Sequence, residues 1–236
     1  SCTYPLTTAA VGYKSNYEAL LILNAADTVK YSCDQVGNNG TYAKWYTAFA
    51  NAKCFGSRFT PDYEVFVGDA PSYMLSGTRA WFDANMEETV AKLGMDVVRL
   101  PFWEDNWTTP AIITLGYLIG HEDEAYEYAN KADAVFETIS DTLSNSNISR
   151  PFVYVSYACA NIPTMHNGME EFITHIGAVN PLDKGYSTGN LDAEAIYDMN
   201  PDWIIIDVGS PYQGFLENYT TLEDTKKIVT DRLYNT

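Results

Sequence analysis

Basic residues are scarce in this chain, cysteine is scarcer, and long apolar runs are missing. Fourteen Lys and Arg stand against 31 Asp and Glu, a formal net charge of −17. Such a surface repels phosphate backbones and anionic lipid, which excludes nucleic acid as a partner. Its simplest role is to keep the chain in solution. No apolar run approaches the roughly 18 residues of a helical membrane span. The chain opens on Ser1-Cys2 without a leader, so a processed or excised segment is expected.

The four cysteines, Cys2, Cys33, Cys54 and Cys159, include no C-x-x-C pair. Zinc-ribbon and thioredoxin-like sites are thereby set aside. Cys33 and Cys54 flank a polar loop rich in Gly and Asn. A disulfide between them would close that loop in an oxidising compartment; two unbridged thiols are the alternative. There is no phosphate-cradling glycine loop and no nucleophile–base pair, so the chain does not read as an enzyme. Glu104-Asp105 falls short of a calcium or magnesium site, and the identity of any metal site stays unknown.

What the chain does contain is a pattern used twice. Around Glu64 it reads DYEVFVGDAPSYMLSG, and around Glu194 it reads LDAEAIYDMNPDWIIIDVG. Each Glu precedes a Pro by seven residues (Pro71, Pro201), and an apolar run follows each Pro. A helical stretch, a Pro that blocks further helix and a buried strand make one unit, so the echo predicts two similar α/β lobes with a ligand cleft between them.

The apolar and turn signals agree. Strands are expected over 4–12, 28–33, 72–75 and 97–100, alternating with helices over 17–23, 42–52, 63–68 and 79–93. Ser15 or Asn16 is the expected cap of the first helix. After Pro110, placed as a first helical residue, helix is expected over 111–119. Residues 123–143 then run without Pro or Gly, with acidic residues crowding the start. At 1.5 Å per residue this helix spans about 30 Å, enough to leave one lobe and reach another. A second series follows, with strands over 152–157 and 203–207 and helices over 168–175 and 193–199. The expected organisation is an N-terminal lobe over 1–121, a linker helix over 122–145 and a C-terminal lobe over 146–236. Four sequons, at Asn39, Asn106, Asn147 and Asn218, tilt the reading towards an extracytoplasmic location.

Several of these segments carry a family resemblance. YEALLILNAADTVKYS, AKLGMDVVRLPF, IITLGYLIGHEDEAYEYANKAD, EEFITHIGAVNPL and EAIYDMNPDWIIID occur in an order and spacing similar to the periplasmic-binding-protein-like substrate carriers of ABC importers for iron chelates, haem and corrinoids. The resemblance spans residues 11 to 208. It implies two Rossmann-like lobes joined by a single long α-helix. It also implies an extracytoplasmic, monomeric carrier, periplasmic or on the cell surface, that delivers a ferric siderophore, haem or cobalamin to a permease, with the chelate as ligand and no covalent cofactor.

By position, Glu64 and Glu194 are the carboxylates that such carriers dock on permease arginines. Ser72 departs from the Asp common at that place, and both ends look short for the family. A surface-layer or adhesive module that retains the fold without transport is therefore the second expectation. In a fold of this kind the ligand meets loops at strand C-termini. Tyr13, Trp103, Trp107, Tyr157 and Tyr212 are the candidates to stack on a flat chelate. Lys14 and Arg79 are candidates to pair with its carboxylates, and Met165 and His166 are candidate axial ligands.

Overall fold

The computed structural model describes residues 5–33, 51–78, 85–147, 149–157, 162–163, 169–186 and 198–207. Expected elements at 42–50, 79–84 and 193–197 lie outside them. The chain divides into two compact units, Ser1–Trp103 with Trp107–Asp133, and Glu104–Asn106 with Ala134–Thr236.

In the first unit, β1 (Ala9–Val11), β2 (Val29–Ser32), β3 (Lys53–Cys54), β6 (Tyr73–Ser76) and β7 (Asp96–Arg99) form a five-stranded sheet ordered β3-β2-β1-β6-β7. Every pairing in it is parallel. Strands buried on both faces explain the continuous apolar runs of the sequence. Ala9, Ala10, Val11, Met74 and Leu75 are wholly enclosed. Helix α1 (Lys14–Ile22) returns the chain across this sheet, burying Ala19 and Leu20. Full burial of a leucine such as Leu20 contributes about 1.5–3 kcal/mol. Asn24 then takes the left-handed conformation (φ 53°) that ends the helix. A small antiparallel hairpin, β4 (Gly56–Ser57) and β5 (Thr60–Pro61), follows β3. Helix α2 (Met86–Ala91) precedes β7, and α3 (Asp105–Ile119) follows it.

In the second unit, β8 (Val153–Tyr157) pairs parallel with β10 (Trp203–Asp207) and antiparallel with β9 (Ile162–Pro163). Helix α5 (Met169–His175) seats Ile173 beside Val153 and Val155. Helix α4 (Glu122–Asn145) begins in the first unit and ends in the second, the division falling between Asp133 and Ala134. Its expected bounds differ by one or two residues from those observed. No helix among the described residues is long and apolar enough to cross a membrane.

The repeated pattern resolves into a shared piece of architecture. Two residues after Pro71, Tyr73 enters the sheet opposite Ala9; two residues after Pro201, Trp203 enters opposite Val153. In both units the strand after the Pro is the parallel neighbour of the unit's first strand. The residue between Pro and strand also does the same job twice. Asp202 Oδ2 accepts from the backbone N–H of Phe152 at 2.8 Å. Ser72 Oγ accepts from the N–H groups of Thr7 and Thr8, both at 2.9 Å, and donates to Thr8 O.

Four expectations are corrected. Cys33 and Cys54 form no disulfide. Cys54 pairs in register with Ser32, so those two side chains share a face and Cys33, one residue on, projects to the opposite face. Cys33 is accordingly buried in the core while Cys54 is exposed. Neither Ser15 nor Asn16 caps α1: the helix starts at Lys14, with Tyr13 at the cap position in extended conformation and no side-chain cap bond. Glu64 lies on a 3-10 turn (Tyr63–Phe66), held by Asp62 accepting from Glu64 N–H at 3.0 Å, and not on an α-helix. Pro110 is an interior residue of α3, which starts five residues earlier, at Asp105. Its missing N–H removes one bond near the N-terminus, where the ladder is least complete.

Candidate functional site

The order of the first sheet reverses at β1, with β2 and β3 to one side and β6 and β7 to the other. In open parallel sheets the crevice outside the strand C-termini at such a switch point is where ligands bind. Here that edge carries the β1–α1 turn, Gly12 to Lys14, beside the end of β6. Gly12 N–H donates to Leu75 O at 2.8 Å, drawing the turn against β6. A Cβ on Gly12 would stand 3.1 Å from Leu75 O and 3.4 Å from Ser76 Oγ, a crowded approach that glycine eases.

An aromatic and cationic group gathers on this turn. The Tyr13 ring meets Trp103 edge to face, with centroids 6.2 Å apart. The Arg58 guanidinium lies over Tyr13, 4.5 Å from the ring centroid, and also 4.5 Å from that of Phe59. Such cation–π contacts hold the guanidinium in place over the two rings. Lys14, exposed, is the first residue of α1.

Of the residues picked out in the sequence, Tyr13 and Lys14 lie on the β1–α1 turn, and Trp103, between β7 and α3, meets Tyr13 there. Trp107 stands on α3 with 56% of its surface exposed. Tyr157 ends β8 in the second unit. Arg79, Met165, His166, Tyr212 and Glu194 lie outside the described residues.

Arg58 was missed by sequence reasoning. Its signal was a basic residue on a tight Gly-Ser-Arg-Phe-Thr-Pro hairpin, in a chain with only 14 basic residues.

Electrostatic pairing elsewhere in the unit is structural. Asp69 accepts from Lys30 at 3.0 Å and Lys53 at 3.2 Å, and these contacts hold its carboxyl below the usual range. At the end of β7, Arg99 binds both carboxylate oxygens of Glu87 and donates to Gly77 O at 2.9 Å. Among the described residues no group of three or more His, Cys, Asp and Glu is placed to hold a metal ion.

Residues 21–235 match the family model described as periplasmic binding protein. No curated protein sequence matches the chain. Among solved structures, the fold is similar to the molybdate periplasmic binding protein MolA of Haemophilus influenzae, with TM-score 0.76 and 14% identity over 98% of this chain and 77% of that one. It is similar to a possible iron-binding, periplasmic solute-binding protein of Staphylococcus epidermidis, with TM-score 0.74 and 15% identity over 96% and 86% of the two chains. The periplasmic heme-binding protein HutB of Vibrio cholerae gives TM-score 0.71 and 13% identity over 95% and 84%.

Proposed function

The chain belongs to the periplasmic binding protein family, and on that premise we propose that it is an extracytoplasmic carrier that captures a metal chelate and passes it to an ABC importer permease. The observation that carries the ligand class is the cluster of Tyr13, Trp103 and Arg58 at the switch point of the parallel sheet. Flat apolar faces beside a guanidinium suit a bulky chelate with acidic groups, as in a ferric siderophore, haem or a corrinoid. The similar fold of a possible iron-binding protein and of a heme-binding protein supports that class. Lys14 and Arg79 are assigned to the ligand's carboxylates, and Trp107, Tyr157 and Tyr212 to its faces. Met165 and His166 are assigned to the metal. Glu64 and Glu194 are the docking carboxylates; Glu64 is exposed, as that role requires. The chemistry is recognition, and no residue is assigned a catalytic step.

The test is a tryptophan-fluorescence titration of the whole chain with ferric siderophores, haemin and cobalamin. Saturable quenching at micromolar concentrations by one of them is expected, with Arg58→Ala weakening it about tenfold, the scale of a lost charge-assisted contact. Folded protein indifferent to all three would sink the chelate reading in favour of a surface module that keeps the fold alone.

A further inference from the structure

The geometry points to an oxyanion subsite built wholly within the first unit, at the β1–α1 turn, that holds one acidic group of the ligand. The inference rests on the solute-binding reading and narrows it to a ligand with a carboxylate or similar oxyanion end. Helix α1, nine residues long, presents its N-terminus here; no acidic residue lies in its first turn and Tyr13 provides no side-chain cap. Helix N-termini favour negative charge and offer backbone N–H donors.

Two buried side chains supply the independent evidence. Ser76 is completely buried, and its hydroxyl has no hydrogen-bond partner among the described residues. That hydroxyl lies against the turn: it would stand 3.4 Å from a Cβ on Gly12. Asn16, in the first turn of α1, is also completely buried, and its amide Nδ2 likewise has no partner there. Its Oδ1 takes the Ser15 hydroxyl at 3.5 Å, so the unmatched half of this amide is the donor half.

Buried donors without an acceptor destabilise a fold and call for explanation. An oxyanion set at the turn would supply the acceptor for both, together with the helix N–H groups. The polarity of the place favours an anion over a cation: Nδ2 of Asn16 can only donate, the Ser76 hydroxyl can donate, and Arg58 stacks on Tyr13 one residue from α1. Gly12 is what lets β6 bring its hydroxyl so near.

Calorimetric titration of the whole chain with phosphate, sulfate, molybdate and acetate tests the subsite. The variants are Ser76→Ala and Asn16→Ala, and each oxyanion is also run as a competitor in the chelate titration. At least one oxyanion is expected to bind at millimolar concentration and to compete with the chelate. Ser76→Ala should weaken it about tenfold with an unchanged or higher melting temperature, since an unmatched buried hydroxyl has been removed. Asn16→Ala should weaken it similarly. Oxyanion binding that survives both substitutions unchanged overturns the assignment. So does chelate binding indifferent to every oxyanion, which leaves the solute-binding reading standing. Oxyanion binding lost in both variants, without any chelate binding, supports the subsite while removing the chelate.

Discussion

Single side chains settle how each sheet is started. Ser72 holds two backbone N–H groups at the entry to β1, where Asp202 holds one at the entry to β8. Ser72→Ala should therefore destabilise the first unit by about 1–3 kcal/mol, the range for backbone donors left unmatched on burial. Ser72→Asp, which restores an acceptor of the kind used in the second unit, should recover most of that loss. Urea unfolding of the two variants side by side checks both expectations. Tyr73 gives a second prediction at this scale. Burial pushes its hydroxyl pKa up from the ordinary value of 10.0. Because the folded pKa lies above the unfolded one, its contribution is fully present below about pH 10 and is lost as pH rises beyond it. Tyr73→Phe should flatten that alkaline fall by about one proton, or about 1.4 kcal/mol per pH unit, in unfolding curves above pH 10.

Among the elements, α4 shows how a sequence pattern becomes packing. Its less exposed positions, Ala125, Ala129, Ala132, Phe136, Ile139 and Leu143, recur at spacings of three and four, one face of a 3.6-residue helix. Phe136 meets His175 of α5 with ring centroids 4.9 Å apart. Leu143 fills the space beside Gly177, where a Cβ would stand within 2.4 Å of Leu143 Cδ1 and the backbone has φ +81°. Gly177→Ala is thus opposed twice, by the clash and by the left-handed backbone, each of order 1–3 kcal/mol. Adding Leu143→Ala should relieve only the clash. In a double-mutant cycle of thermal unfolding, Gly177→Ala should cost less in the Leu143→Ala background, yet still have a cost. Equal costs in both backgrounds would show that the contact is absent.

At the scale of the whole molecule, the proposed docking and ligand surfaces draw on different residues of the first unit. Glu64 sits exposed on its 3-10 turn, while Arg58 and Trp103 meet the Tyr13 ring at the β1–α1 turn. Glu64→Lys should weaken association with permease in reconstituted liposomes while chelate affinity stays within about twofold, a change well under one tenfold step. A parallel loss of ligand affinity would refute the separation of surfaces. The docking signal should also fall with ionic strength, because exposed charges are screened beyond about 10 Å at 0.1 M salt.

The sequence by itself determined the alternation of strand and helix, the long helix after Gly120 and the Pro-then-strand echo, because apolar periodicity and helix-breaking residues act locally. It located Tyr13 and Trp103 as aromatics on strand-end loops. It could not reveal Arg58 as their neighbour: a residue 45 positions from Tyr13 in the chain joins it only once the hairpin after β3 is placed. Nor could it decide the Cys33–Cys54 question, since their separation in sequence permits a bridge that the β2–β3 register forbids. The unmatched donors of Ser76 and Asn16 were equally invisible, because whether a polar group finds a partner depends on what the rest of the fold brings to it. Local patterns choose the elements; only tertiary register decides which side chains face one another across them.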